Sequence, residues 1–212
     1  MFGKETEPCI SCGTGQIHLH PATGSDTIRD AEISAVGEES GMPKLRKTLG
    51  DVRSQTCRRL MQVMDTQSQA TLAKWAIEYA QDRYLSICAQ VCPELVQIVS
   101  VCAACAKEGK GAAHCKQELR KAAALARACT GAETQAAARA VAVACATLQT
   151  PSNALGFLFY GAAAVAYSEG GLQLGQAEYD AMAAEELENA CRSLCDCAVE
   201  GEPSPVKINW NC

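Results

Sequence analysis

From Ser152 to Tyr167 the chain reads SNALGFLFYGAAAVAY, a run of helical length with no charge and no polar face. A helix that is apolar on every side belongs in the middle of a domain, where other helices cover all of it. The uncharged stretch containing it begins at Ala140, but Gln149, Thr150, Pro151, Ser152 and Asn153 cut that stretch in two. Neither half reaches the roughly 20 apolar residues that cross a bilayer. The expectation is two buried helices and no membrane span.

The flanking sequence supplies the cover. A first helix is expected from Pro43 to about Met64, with Gly50 as its weak point. Asp65 or Thr66 can cap a second, Gln67 to Gln90, whose apolar set includes Leu72, Trp75, Ala76, Tyr79 and Ile87. Pro93 opens a third that runs to Lys107, since proline loses nothing at a first helical position. Cys115, Leu119, Ala122, Ala126 and Cys129 advance in steps of four and three, so one helical face runs from Ala112 to Cys129. A fifth helix spans Glu133 to Leu148, the all-apolar one follows, and a last one runs from Gln176 to Val199. No block alternates with period two. The fold class is therefore all-α, a single bundle of six or seven mostly antiparallel helices over residues 43–200. Residues 1–42 lack any sustained period and read as an irregular arm, and residues 201–212 as a tail.

Fourteen cysteines accompany an N-terminus without an apolar signal region. Cysteines on apolar helix faces behave as small hydrophobes, so free thiols in the cytoplasm are expected rather than disulfides. The sharpest local motif is Cys9-x-x-Cys12-Gly, with His18 and His20 close behind. Two thiolates and two imidazoles can hold Zn²⁺, although this spacing matches no usual zinc module. Helical pairs at Cys88/Cys92, Cys102/Cys105 and Cys191/Cys195 raise a Cu(I)-binding alternative. Leu, Val and Ala fill the same stripes, and that favours plain packing.

Catalytic signatures are missing. There is no GxSxG, HExxH or phosphate-binding glycine loop, and only three histidines. No catalytic residue and no cofactor are expected. The net charge of −5 disfavours nucleic acid as a partner. It is unevenly spread: residues 44–59 carry net +5, and residues 169–202 carry net −8. The acidic side chains Glu178, Glu185, Glu186 and Glu188 make the last helix a candidate contact surface for a basic protein partner. The alternative is that the basic and acidic helices answer each other within the domain. Nothing in the spacing fixes an oligomeric state.

Several segments resemble the Imm-5-like immunity family of bacteria. Leu72, Ala73, Trp75 and Ala76 match its opening Leu-Ala-x-Trp-Ala helix. Ala146, Thr147, Ala154, Gly156 and Tyr160 fit its central pattern, an Ala-Thr-x-His-x-x-x-His-Ala-x-Gly run followed by an apolar helix with Tyr. The helix from Tyr179 to Leu194, with Glu185 and Glu186, resembles its closing helix, so the resemblance covers about Thr66 to Leu194. The two family histidines are replaced by Gln149 and Asn153. That substitution removes any metal or acid–base use of the pair and leaves Gln149, Asn153 and Tyr160 a structural task at the Pro151 junction. The resemblance implies a small helical protein that binds and neutralises a cognate toxin encoded beside it, without catalysis.

Overall fold

The computed structural model describes residues 45–210. Among these, eight α-helices and one short 3₁₀ turn occur, and no strand. They are α1 (Gln55–Met64), α2 (Gln69–Arg83), α3 (Leu85–Cys88), α4 (Glu94–Lys107), α5 (Lys116–Ala128), α6 (Ala132–Ala146), α7 (Asn153–Gly170) and α8 (Gln176–Cys197).

The first helix starts twelve residues later than the apolar pattern suggests. Gly50 takes φ +109°, a left-handed value that ends helical propagation. A Cβ there would lie 2.9 Å from Leu187 Cδ1 and 3.1 Å from a Phe159 ring carbon. The backbone must pass this close because Leu49, fully buried, donates its N–H to the Phe159 carbonyl at 3.0 Å. Helix α1 then begins where Ser54 Oγ can accept from the Cys57 N–H. Such a cap is worth about 1 kcal/mol.

The second expected helix divides for a related reason. Ser68, rather than Asp65 or Thr66, caps α2, because Asp65 already closes the C-terminus of α1. At Tyr84 the chain leaves the α2 axis with φ −117°, and the single turn of α3 follows. The Tyr84 ring is wholly buried against α7 at Gly161, where any Cβ would collide with it. Glycine at that position lets the ring enter.

Helix α7 is central, as its composition demands. Phe157, Leu158 and every residue from Gly161 to Tyr167 are buried. Its main neighbour is α6, whose alanines at 136, 137, 138, 140, 142 and 144 are buried and allow the two axes to approach closely. Helix α6 also meets α2, α3, α4 and α5, while α8 and α1 close the far side of α7. Trp75, Tyr79, Tyr84 and Phe157 form a ring cluster between α2 and α7, with centroids 5.5–6.3 Å apart.

The C-terminal segment is fastened back onto the α1–α2 turn. Gln67, 1% exposed, accepts from the Val199 N–H at 2.8 Å through its side chain, and its carbonyl accepts from the Val206 N–H at 2.8 Å. Among the described residues no helix is long and apolar enough to cross a membrane.

Candidate functional site

Helix α8 is amphipathic, so its acidic residues divide between two environments. Tyr179, Ala183, Leu187, Ala190, Cys191 and Leu194 face inward. Position 186 lies on that same face, and Glu186 is accordingly only 2% exposed. This corrects its expected place among the surface acids: helical spacing from Ala183 and Ala190 carries it into the core. Glu178 is exposed and accepts the Gly175 N–H at 2.8 Å, closing the first turn of α8. Glu188 is half-buried and accepts from Thr56 Oγ1 at 2.9 Å. Glu185 faces solvent and has no ion pair among the described residues.

A buried carboxylate is tolerable only when its oxygens are satisfied. The Tyr79 and Tyr84 hydroxyls donate to Glu186 Oε1 at 2.9 and 2.8 Å, and Arg83 donates to Oε2 at 2.7 Å. Burial first, then the charge of Glu186, pushes both phenol pKa values above their usual range. The hydrogen bond to Glu186 raises that of Arg83. Both phenols therefore stay protonated and remain donors. This clasp joins the end of α2 to the middle of α8 and leaves no oxygen aimed at a substrate. The amino-acid sequence carried one clue to it: a Tyr on the buried face of α2 needs a partner for its hydroxyl.

At the α6–α7 junction, Asn153 Nδ2 donates to the Ala146 carbonyl at 3.1 Å, which also accepts the Gln149 and Thr150 N–H groups at 2.9 and 3.0 Å. Gln149 itself points to solvent. Tyr160 lies two turns further along α7, under the guanidinium of Arg139 at 6.0 Å. The structure thus joins Asn153 to the end of α6 but does not gather the three residues into one group.

Nine of the eleven described cysteines are buried. Three groups of neighbouring thiols form: Cys88 and Cys92 with Cys129, Cys102 and Cys105 with Cys115 and Cys145, and Cys191 with Cys195. Burial pushes Cys88 up to about 12, Cys92 to about 11, Cys115 to about 12 and Cys191 to about 11. Contact with Cys145, then burial, raises Cys102 as well. Thiols held protonated in this way are poor nucleophiles. Among the described residues no group of three or more His, Cys, Asp or Glu is arranged to hold a metal. Cys9, Cys12, His18 and His20 lie outside the described residues.

The basic segment does meet the acidic helix. Arg46 pairs with Asp180, and α1 packs along α8. A cavity of about 420 Å³ opens between them, lined by Asp51, Ser54, Thr56, Asp180 and Leu187. Part of the charge imbalance is therefore answered internally. What remains outward on α8, besides the capping Glu178, is Glu185, the rim residue Glu188, and Asp196 further along the exposed face.

The model of one protein family, described as Imm-5 like putative immunity protein, matches residues 62–196. The chain belongs to that family. The match runs from the end of α1 to the end of α8, so α2 to α7, the Glu186 clasp and the acidic residues of α8 lie within it, while most of α1 precedes it. No curated protein and no solved structure matches this Imm-5-like chain.

Proposed function

We propose that this protein is a cytoplasmic immunity protein that binds one cognate toxin and neutralises it by occupying the toxin's working surface, with no chemistry of its own. Family membership carries this reading. Two features of the site support it. The buried clasp and the protonated thiols offer no reactive group, and the exposed acids of α8 offer a field for a basic partner. Immunity demands capture before damage, and complementary charge raises association rates far more than it raises affinity. A toxin that grips phosphate, such as a nuclease, would present the matching basic cleft.

The contact surface is tested by reversing charge where the fold does not depend on it. Glu185→Lys with Asp196→Lys, both exposed, is expected to slow toxin association about tenfold at low salt, with the difference shrinking as salt rises. Glu186 is left intact because it is buried. Association unchanged at every salt concentration would remove the α8 face from the account.

A further inference from the structure

The first turns of α6 run beside the 45–47 segment. Between them lies a cavity of about 180 Å³, lined by Arg46, Lys47, Gln135, Arg139 and Tyr167, with no carboxylate on its wall. The Tyr167 hydroxyl donates to the Arg46 carbonyl at 2.7 Å and fixes the backbone from which Arg46 and Lys47 project. Arg46 is answered on its outer side by Asp180. Lys47 and Arg139 have no ion pair among the described residues.

Arg139 is the unusual member. Its guanidinium lies over the Tyr160 ring at 6.0 Å, and its Nε is out of reach of solvent with no hydrogen-bond acceptor. The outer guanidinium nitrogens carry no hydrogen bond among the described residues, and an anion in the cavity answers their charge and their donors together. Two uncompensated cations match a dianion; a carboxylate would leave one unanswered. Arginine's planar fork suits phosphate oxygens, with lysine as a point charge beside it. At about 30 Å³ per water the cavity holds about six waters. That is room for one phosphate group and not for a nucleoside.

We propose that this pocket between α6 and the 45–47 segment binds a phosphate dianion, either free or at the end of a phosphate ester. The site stands apart from toxin binding, so its failure leaves that reading untouched. The test titrates inorganic phosphate into the full chain at low ionic strength and mildly alkaline pH, following the Arg139 guanidinium carbon resonance. A saturable shift in the millimolar range or below is expected, and acetate should produce none. Lys47→Gln, an exposed change that keeps the fold, should weaken binding about tenfold. Arg127→Gln, on the outer face of α5, should leave it unchanged. A nucleoside monophosphate that binds equally well identifies a phosphate ester as the source, and one that does not identifies free phosphate; either keeps the proposal. An Arg139 signal that stays still, acetate binding as well as phosphate does, or Lys47→Gln binding like the unaltered chain would overturn it.

Discussion

Glu185 and Glu186 adjoin in the chain, yet a rotation of about 100° about the helix axis puts one in water and the other in the core. The buried one holds three donors, two of them phenols that have no water to turn to. Removing the acceptor leaves both hydroxyls buried and unpaired, while Arg83, whose side chain is 41% exposed, can turn outward. Glu186→Ala is therefore expected to destabilise the fold by about 2–6 kcal/mol, about 1–3 for each hydroxyl left unpaired, read as a lower midpoint in urea denaturation. Glu186→Gln keeps one acceptor oxygen and should cost less. Equal, small losses for both would show that the clasp does not hold α2 to α8.

The helices were mostly legible because their signals are local, but tertiary demands shaped the chain at three places that those signals do not announce. Glycine at 50 and Tyr84 at the end of α2 mark places where the chain must fit between other elements, and nothing in the neighbouring periodicity announces that. The C-terminal segment is the third case. Glu202 Oε2 accepts the Ser68 N–H at 2.7 Å, and its Oε1 accepts from the Ser68 and Thr71 hydroxyls at 2.8 and 2.5 Å. A carboxylate 134 residues away thus reinforces the N-terminus of α2, which the positive end of the helix dipole favours. Burial opposes the charge, but the hydrogen bonds from Thr71 and Ser68 outweigh it and lower the Glu202 pKa below 4.5. A depressed folded-state pKa gives stability that is present above the unfolded value and fades as pH falls through the folded one. Glu202→Gln should cost about 0.3–1 kcal/mol near neutral pH and flatten the acid limb of the stability curve below about pH 4.5. Parallel acid limbs for the two proteins would contradict this clamp.

For the molecule as a whole, charge among the described residues is answered in part within the bundle. Basic residues at 46 and 47 adjoin α6, and outward acids remain along α8 once Arg46 and Arg83 have taken Asp180 and Glu186. Composition revealed the imbalance but not which acids were already answered, because pairing depends on elements more than a hundred residues apart in the chain. The same holds for Asn153, whose residue type allowed a junction bond while only the fold names Ala146 as its acceptor. The chain belongs to the Imm-5-like family, and protection by binding is the role proposed for it. The most direct test expresses the gene immediately upstream in a cytoplasmic host, with and without this chain, and then purifies the chain from the surviving cells. The account predicts growth arrest relieved only by co-expression, with the two proteins recovered together in a fixed ratio. Rescue with no complex, or a toxic neighbour that this chain fails to restrain, would contradict neutralisation by occlusion.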